Sequence, residues 1–270
     1  MWYYVGYGVG VLMLANERHS KIRAALAKTG AVTVAELAKA FGVSDETVRR
    51  DLLALEREGV LSRVHGGAIA VATIKPAGEF SVRIDEHRRE KNELSQLAAE
   101  LIEEGDIIAV DAGTTALEFA DVIKDKFKNL TVITHSLGVF NILSHSETIQ
   151  TVLVGGSYDK GEDAFWGHLT AQNLRSLHVA KAFIFPTGIS LSCGISDFHL
   201  KLADVQHTLL SIADKIIVLA DSSKFEKTSL CKLCDLNPEH IYVTDGNLPD
   251  TIFNLYRENN LTILKGKCQK

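Results

Sequence analysis

Six short apolar runs rich in β-branched residues constrain this chain more than any other feature. They read DIIAVD, LTVITH, TVLVGG, KAFIFPTG, KIIVLAD and HIYVTDG, spread between Asp106 and Gly246. Segments with helical spacing lie between several of them, among them TALEFADVIKDKF, LGVFNILSHS and DVQHTLLSIA. Strands that are apolar throughout and alternate with helices are covered on both faces. The pattern therefore implies an α/β domain with a largely parallel sheet.

In such a sheet, ligands sit beyond the carboxyl ends of the strands. Here those ends read Asp111-Ala112-Gly113-Thr114-Thr115, Thr134-His135-Ser136, Gly155-Gly156-Ser157, Thr187-Gly188-Ile189-Ser190 and Asp221-Ser222-Ser223-Lys224. Glycine lets a backbone approach closely, serine and threonine supply hydroxyls, and a following helix offers free N–H groups. Together these suit a phosphate or another oxyanion. One such turn is weak evidence, because tight strand-to-helix turns use the same residues; five in a row are hard to read as turns only.

The first quarter of the chain reads differently. Ile22, Ala25 and Leu26 have helical spacing, and Thr29-Gly30 stops that helix. Thr33 to Glu36 has the form of a capping box, opening a helix that turns Leu37 and Phe41 inward and ends at Gly42. Ser44 is a good N-cap for a third helix, with Val48, Leu52 and Leu55 on one face. EGVLSRVHGGA then reads as a two-stranded wing turning at Gly66-Gly67. Three short helices, a tight turn and a wing make a winged helix-turn-helix.

On the third helix Glu46, Arg50, Leu53 and Arg57 lie opposite the apolar stripe, with Arg49 on the flank. An arginine near the start of a recognition helix can grip guanine or clamp a phosphate. Taken alone, the pair fits a solvated helix in which Arg50 bonds Glu46; the capped preceding helix, the turn and the wing favour DNA. The candidate contacts are Ser44, Glu46, Thr47, Arg49, Arg50 and Arg57 on the helix, and Arg63 and His65 on the wing. The expected partner is double-stranded DNA.

Residues 16–70 are thus expected to form the DNA-binding domain. Residues 71–86, with Pro76 and Gly78 and no clean periodicity, read as a linker. Residues 87–270 form the sensor domain, opening with an amphipathic helix that ends at Gly105. Residues 1–15 read as a disordered segment or a misassigned start, with Met13 the expected beginning. The apolar MWYYVGYGVGVLML is too short to span a bilayer and lacks a positive leader region, so no membrane partner is expected.

The net charge of −5 excludes a generally basic nucleic-acid binder. Residues 17–65 carry nine lysines and arginines against seven acids, so DNA contact has to come from local geometry. Of the four cysteines, Cys231 and Cys234 form a C-x-x-C with no second pair to complete a zinc site. They read as ordinary reduced thiols of a cytoplasmic protein, and no cofactor is expected.

With both halves in view, the chain resembles DeoR-type bacterial transcriptional regulators from about Asn16 to Leu264. The most specific pieces are VSDETVRRDLLALEREGVLSRVHGGA, AVDAGTTALEFA, LTVITHS, VLVGGSYD and VLADSSKF. The resemblance implies a winged helix on operator DNA and a sensor like the ribose-phosphate isomerase fold. It further implies a phosphorylated sugar or related small anion as effector, repression of a carbohydrate-utilisation operon, and a homo-oligomer, dimer or tetramer.

Asp111, Gly113, Thr114 and Thr115 match the family's anion loop, Thr134 and Ser136 its second loop, and Gly155 and Gly156 its third. Lys224 matches the lysine of the last loop, and Lys91 falls where a basic residue often precedes the sensor helix. The chain departs from the family at His135, where asparagine is usual, and at Gln206, where lysine is usual. His135 either donates to a ligand oxygen or caps its helix. Trp166 and His168 either shape the pocket or pack, and His199 and His207 read as surface or satisfied core residues.

The rival function is a sugar-phosphate isomerase on the same sensor fold, with Asp111, Asp221 and Lys224 as base and lysine. The DGADE cluster typical of ribose-phosphate isomerases is absent, and that rival leaves the DNA-binding domain unexplained.

Overall fold

The computed structural model describes residues 13–70 and 78–267. Of the extension expected over residues 1–15, residues 1–12 lie outside the described residues and Ala15 already opens the first helix; of the linker expected over 71–86, residues 71–77 lie outside them. The chain divides into two compact units, Met1–Val71 and Ala72–Lys270.

The first unit runs α1 (Ala15–Thr29), β1 (Ala31–Thr33), α2 (Val34–Phe41), α3 (Asp45–Arg57), β2 (Leu61–Val64) and β3 (Gly67–Ala70). Each helix boundary has a local chemical cause. α1 ends where Gly30 turns left-handed at φ 76 and returns its N–H to the Leu26 carbonyl. Thr33 accepts the Glu36 N–H and donates its hydroxyl to the Glu36 carboxylate. Ser44 accepts the Thr47 N–H at 3.3 Å, capping α3. Ile22, Leu26, Leu37, Val48, Leu52 and Leu55 are buried in one core, with Phe41 packed at its edge.

The wing is larger than expected. β1 pairs with β3, giving a three-stranded antiparallel sheet in the order β1-β3-β2. A Cβ on Gly67 would lie 2.1 Å from the Val32 carbonyl oxygen, so this crossing admits only glycine. The core also holds an ion pair that no local pattern announces. Arg18 donates to both carboxylate oxygens of Asp51, at 2.6 and 3.1 Å, and His19 lies 3.1 Å from the same group.

The second unit opens with α4 (Phe80–Asp85) and α5 (Arg88–Ala99). Next come β4 (Ile107–Val110), α6 (Thr114–Ile123), β5 (Leu130–Thr134), α7 (Leu137–Leu143), β6 (Ile149–Leu153), β7 (Ser157–Asp159) and β8 (Ala164–Trp166). They are followed by α8 (His168–Arg175), β9 (Val179–Ile184), β10 (Gly188–Ser190), β11 (Gly194–Asp197), α9 (Leu200–Ser211) and β12 (Ala213–Leu219). The unit ends with β13 (Cys231–Cys234), β14 (Ile241–Thr244), α10 (Asp250–Glu258) and β15 (Thr262–Lys265).

Seven strands form the central sheet in the order β15-β14-β12-β9-β4-β5-β6, and every pairing is parallel. Six of the seven are the apolar runs; β15, an edge strand, escaped the pattern. From β4 the chain winds through β5 to β6, then returns to β9 on the other side of β4 and continues through β12 and β14 to β15. The winding reverses between β4 and β9, which is where open α/β sheets bind ligands. α5 and α6 bury Leu94, Ala98, Phe119 and Ile123 against Ile108, Val110, Val132 and Phe183 of the sheet.

Two expectations are corrected here. Residues 80–85, read as linker, form α4, which is held by tertiary ties rather than by apolar periodicity: Arg83 donates to Glu162 at 2.5 Å and to the Gly78 carbonyl at 2.9 Å. The amphipathic helix ends at Ala99 rather than reaching Gly105, although Leu101 and Ile102 still pack on the core.

Candidate functional site

Of the candidate DNA contacts, Arg49, Arg63 and His65 line one groove, while Ser44, Glu46, Thr47, Arg50 and Arg57 lie on α3 outside its lining. α3 and the wing enclose a groove of about 460 Å³ whose lining includes Arg49, Arg63, His65 and Gly66. Among the described residues Arg49 and Arg57 are exposed and make no ion pair. Arg50 is paired with Glu46 at 3.3 Å, the solvated-helix arrangement, but the two side chains are 78% and 62% exposed. Such a pair contributes about 0.3–0.5 kcal/mol and yields readily to a phosphate. Arg63 donates its guanidinium (2.7 Å) and its backbone N–H (2.8 Å) to Glu56, tying the wing to α3. These bonds, the backbone one first, hold the Glu56 carboxyl below its ordinary range. Ser44 and Thr47 bond each other at 3.0 Å at the start of α3.

In the sensor unit, three strand-end loops and one helix corner converge. Gly113, Thr114 and Thr115 after β4, Phe185 to Thr187 after β9, and Asp221 and Lys224 after β12 line one cavity together with Arg83, Glu86, His87 and Lys91. These three strands are neighbours in the sheet, and the cavity sits at the reversal of winding. Gly113 holds φ 133, open to glycine alone, and no side chain caps α6 behind it. The first N–H groups of α6 are therefore available to an anion.

Lys91 is buried, and burial pulls its ammonium below the ordinary lysine range, opposed by the charge of Asp221 and aided by that of Lys224. One carboxylate oxygen of Asp221 is buried without a hydrogen-bond partner. Lys224 forms no ion pair among the described residues. Sequence reasoning missed Arg83 and Glu86, because nothing in a segment read as linker signals that it folds over strand ends, and His87, which it read as the start of the amphipathic helix.

The remaining predicted loops do not line this cavity. Their strands, β5 and β6, lie one and two places beyond β4, and each place is about 4.8 Å. Thr134 bonds the Val110 carbonyl and the Ser136 N–H, and Ser136 caps α7 through the Val139 N–H. Gly156 faces α8, where a Cβ would lie 2.0 Å from the Thr170 hydroxyl. The Gly155 carbonyl accepts that hydroxyl at 3.2 Å.

Neither expectation for His135 holds. It is fully buried, its Nδ1 donates to the Phe165 carbonyl at 2.8 Å, and its Nε2 lies 2.9 Å from Asp111. Asp111 is itself fully buried beneath the cavity and accepts the Ala112 N–H and the Gln206 amide.

The N-terminal part, residues 18–73, matches the model of the DeoR-like helix-turn-helix domain. Residues 86–246, more than half of the chain, match that of the DeoR C-terminal sensor domain. The chain belongs to the DeoR family. It is similar to the lactose phosphotransferase system repressor of Lactococcus lactis subsp. lactis, at 34% identity over 87% of this chain and 93% of that protein. It is 33% identical to the HTH-type transcriptional repressor GlcR of Bacillus subtilis, over 93% and 96% of the two chains. It is 32% identical to the L-fucose operon activator of Haemophilus influenzae, over 88% and 94%.

As a DeoR-family member the chain is a DNA-binding transcriptional regulator, and the isomerase alternative is set aside. Among solved structures, ribose 5-phosphate isomerase A of Methanocaldococcus jannaschii overlaps 52% of this chain and 55% of its own. That overlap has 16% identity and a TM-score of 0.39, too low to carry weight. Among the described residues, no helix is long and apolar enough to cross a membrane.

Proposed function

We propose that this DeoR-family regulator represses a carbohydrate-utilisation operon and that a phosphorylated sugar in the sensor cavity controls its operator binding. The observation that carries the reading is the meeting of Lys91, Lys224 and the uncapped start of α6 at the reversal of the sheet winding. Two ammonium groups and a helix N-terminus suit a phosphoryl group. The buried, unpartnered oxygen of Asp221 beside them suits a sugar hydroxyl. The similarity to a lactose phosphotransferase system repressor and to an L-fucose operon activator supports the sugar class.

Arg49, Arg50, Arg57, Arg63 and His65 meet the operator. One winged helix reads a short half-site, so the protein acts as a dimer or tetramer. A thermal-shift screen of sugar phosphates tests the effector: a ligand of the native state raises the midpoint, and Lys224→Ala abolishes the rise. An undiminished rise in Lys224→Ala places the anion elsewhere. Light scattering tests the assembly, and a monomer at micromolar concentration with and without operator contradicts it.

A further inference from the structure

We infer that Lys91 latches the helix α4 to the anion site, and that a bound anion opens the latch. The inference rests on the anion reading above. Lys91 is 3% exposed, and its ammonium donates to the carbonyl oxygens of Arg83 and, at 3.4 Å, of Ile84. These carbonyls belong to the last turn of α4, where a helix has no partners of its own. The ammonium is thus a C-terminal cap, favoured by the helix dipole. The same residue lines the cavity with Lys224, Asp221 and the start of α6.

The cavity has a volume of only about 30 Å³. A single water needs about 10–15 Å³, so the closed part of the space holds roughly two waters, and an anion seated deep enough to reach Lys91 displaces a wall. Three of its walls are strand-end loops anchored in the parallel sheet. The fourth is the corner between α4 and α5, and it is built to move. No residue of α4 is buried, and Val82 is 54% exposed. His87, at the corner, holds a left-handed φ of 53 that side-chain-bearing residues rarely adopt. Apart from Lys91, α4 is held by its packing against α6 and by Arg83, which bonds Glu162 and the Gly78 carbonyl.

An incoming anion offers Lys91 charged oxygens in place of neutral carbonyls, and an ammonium bonds an ionised acceptor more strongly than a neutral one. Drawing the ammonium into the cavity leaves the Arg83 and Ile84 carbonyls without their donor, and α4 loosens. Along the chain α4 follows directly on residues 71–77, which lead from the DNA-binding unit, so its order is the quantity an effector can transmit. The coupling equals the difference in anion affinity between the latched and unlatched states.

Hydrogen exchange of the Arg83 to Glu86 amides tests this in the full-length protein. Inorganic phosphate and glucose 6-phosphate serve as probes, with sodium chloride as the ionic-strength control. A probe that raises the melting midpoint is expected to speed exchange at these amides about tenfold, the factor that loss of one charge-assisted hydrogen bond gives. Glu162→Gln, outside the cavity lining, is expected to speed the same exchange without any probe and to bind the probe more tightly.

Binding that depends on Lys224 but leaves α4 exchange unchanged or slower overturns the latch and leaves the anion site standing. Absence of stabilisation by either probe overturns the anion reading, and the latch with it. Should Glu162→Gln not fold, the wild-type comparison decides alone.

Discussion

His135 and Gln206 meet on one carboxyl group. His135 Nε2 approaches Asp111 Oδ1 at 2.9 Å, while the Gln206 amide donates to Asp111 Oδ2 at 3.0 Å and to Asp197 at 3.1 Å. These two residues, far apart along the chain, are therefore one structural unit beneath the sensor-domain cavity. Two buried carboxyl groups share a single neutral amide there, and burial pushes the Asp197 carboxyl up. His135 and Gln206 are the two side chains that bond Asp111. Replacing His135 with alanine strips a fully buried carboxyl oxygen of its side-chain hydrogen-bond partner. His135→Ala is expected to cost about 2–3 kcal/mol in the sensor unfolding transition, read from the urea midpoint at constant slope.

The recognition helix predicts a divided outcome for its arginines. Arg49 lines the groove beside the wing without an ion pair, so Arg49→Ala is expected to weaken operator binding by about 1–3 kcal/mol, with relaxed specificity at one base pair. Arg50 has first to leave Glu46. Arg50→Ala is expected to weaken all sequences alike and to reduce the salt dependence, as loss of a phosphate contact does. Gel-shift titrations at two salt concentrations separate the two; wild-type curves for both variants refute the assignment.

Glu226 makes stability depend on pH. It holds a left-handed φ of 54, and neither of its carboxylate oxygens makes a well-formed hydrogen bond. Burial pushes its carboxyl up to about 7, with the Tyr256 hydroxyl and the Leu191 N–H offsetting only part of the effect. The folded state binds this proton more tightly than the unfolded state, so the contribution is full below about pH 4.5 and is lost as pH rises to about 7. Over that window wild type is expected to lose roughly 3 kcal/mol relative to Glu226→Gln. Parallel pH series of melting curves for the two proteins measure it; superimposable profiles contradict it.

The Arg18–Asp51 pair makes a prediction for the DNA-binding unit. The two side chains are 9% and 7% exposed. Asp51→Ala leaves a buried guanidinium without its partner and is expected to destabilise this unit by about 3–5 kcal/mol. Differential scanning calorimetry is expected to show the transition of the DNA-binding unit falling while that of the sensor stays in place.

Local chemistry determined most elements of both units, with β1, α4 and β15 as exceptions. The capping residues Thr33 and Ser44, the stripe Val48, Leu52 and Leu55, and the apolar strand runs each act within a few residues of chain, so their spacing is legible in one dimension. The loops at Gly113 to Thr115 and at Asp221 to Lys224 were legible as strand ends for the same reason, and both line the cavity.

Which loops meet was decided only by the order of strands. That order places β12, β9 and β4 side by side and moves β5 and β6 away, turning Thr134, Ser136 and Gly156 into packing and capping residues. The tertiary structure also decided that Arg18 finds Asp51, that His135 and Gln206 share Asp111, and that a segment resembling a linker becomes a helix capped by Lys91. These partners lie far apart along the chain, as with Gln206 and Asp111, or in a stretch without periodicity, as with α4. Their pairing depends on burial, which strengthens a hydrogen bond and penalises a polar group left without one, and burial exists only once the sheet has closed over its helices.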